Sequence, residues 1–363
     1  MSAGSADSGR IRVLHAVKSL GLGGTEKVMQ LLVRHLDPER FEVAVHSPVD
    51  GPRAAQIREG GRGAATYIGT GLDRALAAFR PDIVHLHRAG WAEPEFLHPL
   101  RHGPQRLVVE TNVFGRLDDS PSARAIDTHL FVSHFCAQRF AKGTAIPAEW
   151  PRYGVLYNPV DTDRYEALLP EGPRAEAPVL GRISRADPGK WSGIALDILP
   201  LLARSVPGFR CRIIGGIPEA ERFVREHGLA GAVEFLPPVA TEEELAAFYG
   251  GLSVLAHAND TGESFGLVIA EAMACGLPVV THPAQGERDN AQLELVEHGV
   301  TGLVAATAED YAQAVRWLFE HPAEARRMGQ AGREKARRLY RAQDIAARLG
   351  EMYLDLLARK GTQ

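Results

Sequence analysis

Two glutamates eight positions apart, Glu263 and Glu271, bound the most chemically suggestive stretch of the chain, ESFGLVIAEAMACG. Leu267, Val268, Ile269, Ala270, Ala272, Met273 and Ala274 are apolar almost all round a helical wheel. The spacing therefore predicts a helix buried on most sides. An ionised carboxylate at Glu271 is costly in so dry a setting unless several O–H or N–H donors meet it. A ribose diol supplies two. With Glu263 at the helix start, eight residues at the usual helical rise put the acids about 12 Å apart along the axis. They cannot grip one atom, but they can hold two ends of one extended ligand. Between them, the N–H groups of Ser264, Phe265, Gly266 and Leu267 form a helix start suited to phosphate. In order, the segment reads sugar, diphosphate, ribose. The same residues also admit a plainer reading, with a helix-start charge at Glu263 and a buried ion-pair partner at Glu271.

The elements that must position these groups repeat one pattern from Ile11 onward: a short apolar run, a turn, then a segment of helical period. That alternation predicts parallel βαβ units. Strand-like runs occur at Ile11–Ala16, Phe41–His46, Asp82–Leu86, Leu107–Glu110, His129–Val132 and Val155–Tyr157. A second series occupies Val179–Ile183, Arg210–Ile214, Val233–Leu236, Ser253–Ala256 and Pro278–Thr281. Asn158–Pro178 between them is rich in Pro, Asp and Glu and reads as a linker. The expected organisation is α/β: a disordered polar tail (1–10), an N-terminal Rossmann-like domain (11–160), a linker (161–175), a C-terminal Rossmann-like domain (176–340) and a final helix (341–363). Ligands bind outside the carboxyl ends of strands in such sheets, which makes a cleft between two of them the expected active site.

At 363 residues the length suits two domains, and 41 basic against 45 acidic side chains, net charge −4, give no global field for gathering nucleic acid. No apolar stretch is long enough to span a bilayer, and Met1–Arg10 lacks a signal-peptide core, so the expected location is cytoplasmic. The three cysteines, Cys136, Cys211 and Cys275, form no CxxC pair and read as reduced filler.

The segment 263–276 resembles the E-x7-E motif of retaining glycosyltransferases of the GT-B fold, family 4, and the resemblance runs along nearly the whole chain. GLGGTEKVM (21–29) is similar to the family's glycine loop, PDIVHLH (81–87) to its fourth-strand signature, VLYNPVDTDRY (155–165) to its N-G-V-D segment, LGRISRADPGKW (180–191) to its G-R…K phosphate motif, and 277–304 to the strand and glycine turn after E-x7-E. The resemblance implies two Rossmann-like doubly wound domains facing a central cleft. It implies that Arg182 and Lys190 grip a donor diphosphate, with Arg185 able to share that role because the spacing is longer here. It assigns Glu263 to donor-sugar hydroxyls, Glu271 to the ribose, and Val239 to the loop bordering the base. Gly23 and Gly24 would let backbone approach phosphate and acceptor closely. Two departures stand out: Asn158-Pro159 replaces the usual Asn-Gly, and the usual histidine after the fifth strand is missing. Asn112, Glu110 or His87 are the substitutes at hand.

The implied activity is transfer of a sugar from a nucleoside diphosphate sugar to a small-molecule, glycan or lipid-linked acceptor. No cofactor or metal is expected, since Arg182, Lys190 and the helix start would neutralise the leaving diphosphate. Alternatives are a nucleotide-sugar epimerase of the same architecture and a non-catalytic nucleotide-binding subunit. Gly21-x-Gly23-x-x-Glu26 lacks the third glycine of a dinucleotide fingerprint. Asp161-Thr-Asp163 reads as a turn, and Glu95, His98 and His102 as non-ligands because Pro99 interrupts their helix. The basic run Arg326–Arg341 reads as a helix face with peripheral membrane contact as its alternative. In the tail, Ile345, Leu349, Met352, Tyr353, Leu356 and Leu357 recur at helical spacing, and the helix they form is expected to return to the N-terminal domain.

Overall fold

Apolar runs of the first series become seven parallel strands in the computed structural model, which describes residues 9–60, 63–169 and 177–361. The polar tail, expected at 1–10, lies outside the described residues through position 8, as does linker segment 170–176. The strands are β1 (Ile11–Val17), β2 (Phe41–Ser47), β3 (Ala65–Ile68), β4 (Ile83–Arg88), β5 (Leu107–Asn112), β6 (Thr128–Phe131) and β7 (Tyr153–Val155). Their order is β3-β2-β1-β4-β5-β6-β7, the doubly wound pattern with its reversal at β1/β4. The central strands β4 and β5 are buried at every position, apolar at their amino ends and carrying buried polar groups (His85, His87 and Arg88; Glu110, Thr111 and Asn112) toward their carboxyl ends.

The chain divides into two compact units, one comprising 1–159 with 342–363 and the other 160–341. In the first, the last helix, Ala342–Gly361, lies along the helix Gly24–His35. Its stripe of Ile345, Leu349, Tyr353 and Leu356 is buried. Gly350 permits this approach, since a Cβ there would meet Phe41 at 3.1 Å. Trp150 donates to Asp355 at 2.7 Å, and Lys360 pairs with Asp127 at 2.8 Å.

The second unit holds β8 (Val179–Ile183), β9 (Arg210–Ile214), β10 (Val233–Leu236), β11 (Val254–His257), β13 (Val279–Thr281) and β15 (Gly302–Val304) in the order β10-β9-β8-β11-β13-β15. The two-residue strands β12 (Gly262–Glu263) and β14 (Asp289–Asn290) pair separately. Leu180, Ile198, Leu202, Cys211, Val254, Val280 and Tyr311 lie in its core. The expected linker is partly a helix: Asp161 caps Thr162–Leu168 by accepting from the Arg164 N–H at 3.2 Å, and Asp163 is held by Arg341 at 2.7 Å. Both units are α/β, each built on a parallel sheet of doubly wound order. No helix of the described residues is long and apolar enough to cross a membrane.

Candidate functional site

Glu263 does not stand at a helix start. Gly266, at φ 102°, takes the left-handed conformation that caps the helix Leu267–Ala274 from outside, so the helix begins four residues later than the sequence reading placed it. The 12 Å helical separation from Glu271 therefore does not apply. Glu263 instead sits on β12, where its N–H bonds Gln292 Oε1 at 3.1 Å and its carbonyl accepts from Ala291 at 2.9 Å. Gly262 at φ 66° has no room for a Cβ, which would strike the Asp289 carbonyl.

Three donors converge on one oxygen of this side chain. Glu263 Oε1 accepts from Asn259 Nδ2 at 2.8 Å, Lys190 Nζ at 2.9 Å and His257 Nε2 at 3.3 Å, while Oε2 accepts nothing among the described residues. A carboxylate only accepts, so His257 carries its hydrogen on Nε2, and in the neutral ring Nδ1 is left to accept from Thr281 Oγ1 at 3.2 Å. Burial pushes the Glu263 carboxyl up, but the His257 hydrogen bond and the Lys190 charge outweigh it and hold the group down at about 2. Asn259 Oδ1 and His282 Nε2 are buried without partners among the described residues. The site thus offers an ionised carboxylate with one unused oxygen, beside further unused hydrogen-bonding capacity.

Lys190 closes the short turn Pro188–Lys190, which Asp187 caps by accepting from the Gly189 N–H at 2.9 Å. Arg182, on β8, is buried and lies 3.9 Å from the Trp191 ring centroid. Its guanidinium donates to the carbonyls of Lys190 and Ala258 and to Ser184 Oγ, and burial lowers its pKa to about 10. It stays charged near neutrality and fixes the loop that carries Lys190. Arg185 is 71% exposed at its side chain and lies 3.9 Å from Asp187.

The helix Leu267–Ala274 is as dry as its composition requires, and Glu271 within it is buried. Tyr249 donates to Glu271 Oε2 at 2.9 Å, and burial next to that carboxylate raises the phenol well above its ordinary value. Ser264 donates to Asp289, and the buried Phe265 ring meets Tyr340 edge-on at 5.2 Å. These two side chains hold the segment in place. The orphan amides of the helix start are those of Leu267 and Val268 rather than the four expected. Val239 is half-buried in the loop after β10.

The N-terminal unit treats its candidates differently. Gly23 caps the helix Gly24–His35 at φ −70°, an ordinary value, and a Cβ there would collide with the Glu26 carboxylate. His87 is buried, with Nε2 2.9 Å from His15 Nδ1. Asn112 brackets the Arg116 backbone, donating to its carbonyl at 2.8 Å and accepting from its N–H at 3.1 Å. Glu110 is fully buried between Arg88 and His129. Asn112 and Glu110 thus spend their polar atoms on scaffold partners, while His87 keeps a buried Nδ1 without a partner among the described residues.

For a metal, one cluster among the described residues has the composition: His15, His85 and His87 each bring a ring nitrogen within 4.8 Å of the others. Both nitrogens of His85 are engaged, by Tyr353 Oη at 2.5 Å and Thr111 Oγ1 at 2.8 Å, whereas His15 Nε2 and His87 Nδ1 are buried without partners among the described residues. Glu95 and His98 fall on separate short helical turns, Pro94–Leu97 and His98–Arg101, with His102 just beyond. The basic run is largely used internally: Lys335 pairs with Glu297 at 2.5 Å, Arg327 with Glu324 at 2.8 Å, and Arg337 lies 3.8 Å from Glu166.

Sequence reasoning missed His257, Asn259 and Tyr249. His257 ends β11, a carboxyl strand end where functional groups collect, and Asn259 lies four residues before Glu263. Their convergence is tertiary. Tyr249 carries no local signal.

Residues 170–335 match the family model for glycosyl transferases group 1. A GDP-mannose-dependent alpha-(1-6)-phosphatidylinositol monomannoside mannosyltransferase of Mycobacterium tuberculosis is 31% identical over 301 residues, 77% of this chain and 69% of its own length. In fold, the chain is similar to HepE of Anabaena, crystallised with UDP and glucose, at TM-score 0.75 and 18% identity over 95% of this chain and 100% of that one. A glycosyltransferase from Rickettsia africae gives TM-score 0.77 at 14% identity over 96% and 99% of the two chains.

Proposed function

The chain belongs to the glycosyl transferases group 1 family, and from that premise we propose that it is a retaining hexosyltransferase that moves a sugar from a nucleoside diphosphate sugar to an acceptor hydroxyl without a metal ion. The observation that carries the reading is Glu263: an ionised carboxylate whose Oε1 is saturated and whose Oε2 is left to accept from a ligand hydroxyl. Sugars bring hydroxyl donors to such an oxygen. Glu271 stands at the ribose, with Tyr249 setting its orientation. The Leu267 and Val268 amides and Lys190 serve the diphosphate, and Arg182 and Arg185 support that loop.

On this reading the bond from the anomeric carbon to the donor phosphate oxygen breaks, and the acceptor oxygen adds from the same face. The departing phosphate oxygen takes the acceptor proton. Fixed positive charge at the diphosphate is worth most as that charge develops. Metal independence is supported by Asp161 and Asp163, which are committed to a helix cap and to Arg341. The free, buried cysteines agree with a cytoplasmic setting. Acceptor candidates include lipid-linked sugars, because the mannosyltransferase relative acts on a phosphatidylinositol mannoside by name.

The test is a thermal-shift screen with GDP, UDP, GDP-mannose and UDP-glucose in the presence of EDTA. At a hundred times Kd a ligand adds about 2.7 kcal/mol of stability, a readily measured rise in Tm. No shift with any sugar nucleotide or diphosphate, or a shift that needs a divalent ion, would overturn the reading.

A further inference from the structure

The three donors that meet Glu263 Oε1 are not equally secure. Lys190 reaches it from a short turn, on a long side chain that is 24% exposed. Asn259 donates through Nδ2, but its Oδ1 is buried without a partner among the described residues, so the amide is fastened at one end only. His257 is fastened at both. Its side chain is 7% exposed, Nε2 meets Glu263 at 3.3 Å, and Nδ1 meets Thr281 Oγ1 at 3.2 Å.

This anchor is built into the sheet. His257 on β11 and Thr281 on β13 are register partners, so strand pairing, not a loop, sets the hydroxyl against the ring. Thr281 is fully buried, and the Tyr311 phenol donates to the adjoining Val280 carbonyl. A neutral imidazole carries one hydrogen. The Thr281 O–H at Nδ1 leaves it on Nε2, toward the carboxylate.

We propose that His257 is a positioning residue: it keeps the Glu263 carboxylate aligned, with Oε2 toward the sugar, once the donor diphosphate draws Lys190 away. The proposal rests on the glycosyltransferase reading, which gives Lys190 two claimants, Glu263 Oε1 at 2.9 Å and a diphosphate of higher charge. An ammonium is a point charge on a flexible stem and follows the stronger field. A ring held at both nitrogens has no such freedom. Without that ring the carboxylate turns about its last bond, and the oxygen that must accept a sugar hydroxyl leaves its line. The same hydrogen bond guards the charge: burial pushes the Glu263 carboxyl up, and the His257 bond and then the Lys190 charge bring it down to about 2. Of the other ionisable groups on neighbouring elements, Asp289 on β14 accepts from Ser264, and His282 after β13 has Nδ1 3.0 Å from the Pro283 carbonyl. Arg288 donates to the Asp260 carbonyl at 2.7 Å.

The experiment compares His257→Leu, His257→Gln and Thr281→Val in the full-length protein, with whichever of GDP-mannose and UDP-glucose shifts the wild-type Tm, reading donor hydrolysis. His257→Leu should lower kcat by about thirtyfold, while KM for the sugar nucleotide and Kd for the free diphosphate stay within about twofold. His257→Gln, whose amide can donate to Oε1, should return kcat to within about threefold of the wild type, and Thr281→Val should lose about threefold. The pH profile separates positioning from support of the fold. Glu263 must be ionised to accept, so activity falls as pH drops through its folded pKa. Wild-type kcat/KM should show no acid limb from this group down to about pH 5, whereas in His257→Leu the limb should rise to about pH 5 or above, with Tm checked at each pH. Turnover of His257→Leu within about threefold of the wild type overturns the proposal, as does a loss that Gln fails to recover with the acid limb unmoved. If His257→Leu does not fold, Thr281→Val decides, and an unchanged kcat there overturns it. No thermal shift and no turnover of the wild type with any sugar nucleotide would remove the glycosyltransferase reading and the proposal with it; an active wild type beside variants that match it removes the proposal alone.

Discussion

At the carboxyl end of the C-terminal sheet, Lys190, His257 and Asn259 all turn to one oxygen of Glu263 and leave the other unused. At the carboxyl end of the N-terminal sheet, Arg88, Glu110, Asp118 and His129 close on one another. Both clusters are largely buried and charged, yet in one a carboxylate oxygen is left unused, whereas in the other both oxygens of Glu110 and of Asp118 are taken and Arg88 Nη1 stands 3.6 Å from Glu93. Burial and charge therefore do not by themselves mark a ligand-facing group.

The sharpest way to break this contrast is to remove Lys190. Lys190→Ala takes the cation from Glu263 and the diphosphate together, and should lower kcat/KM for donor turnover by about a hundredfold or more with Tm little changed. A loss under about threefold would put Lys190 outside the reacting site.

Arg88→Met tests the closed cluster. Stranding Glu110 and Asp118 should cost about 3–5 kcal/mol, a fall in Tm on the order of 10 °C, while sugar-nucleotide binding persists below the transition. If Tm holds and turnover alone drops, Arg88 belongs to the chemistry.

Acid should separate the units. Burial lowers His15 from 6.5 to about 3 and, with mutual repulsion, keeps His85 and His87 well below 6.5. Their folded pKa values are depressed, so the stability they support is complete above the unfolded value and falls as pH drops from about 6.5 toward 3, by up to about 1.4 kcal/mol per unit for each ring. Glu263, lowered from 4.5 to about 2, loses its share only below about 4.5. Trp150 should therefore report unfolding at a higher pH than Trp191 in variants retaining one of them, and His15→Gln should flatten the slope between pH 4 and 6. Simultaneous acid transitions in the two units would refute this.

The mildest change is Tyr353→Phe. It removes one hydrogen bond to His85 from the last helix and should cost about 1 kcal/mol with no effect on donor binding.

The central strands were legible from short apolar cores bounded by turn residues, as Ile83, Val84 and Leu86 in PDIVHLH, while the buried histidines between them gave no sign of their pairing. The edge strands β3 and β15, four and three residues long and partly exposed, carry too little pattern to find. Glu271 was legible as a buried acid from the apolar wheel around it. The place of Glu263 was not, because the left-handed turn at Gly266 and the pairing of β12 with Asp289 depend on a segment over twenty residues away. Arg182 and Lys190 were found as a pair, but their division of labour, one buried under the loop and one at its tip, arises only with Trp191 packed between strand and turn.

The central claim is that Glu263 and Glu271 serve opposite ends of one donor, and calorimetric titration of Glu263→Gln and Glu271→Gln with a nucleoside diphosphate and its sugar nucleotide tests it most directly. The account predicts that Glu263→Gln binds the free diphosphate within about threefold of the wild type while turnover falls by about a hundredfold or more. Glu271→Gln should weaken the diphosphate and the sugar nucleotide alike, by about tenfold. Equal loss of diphosphate affinity in both variants, or none in either, would contradict it.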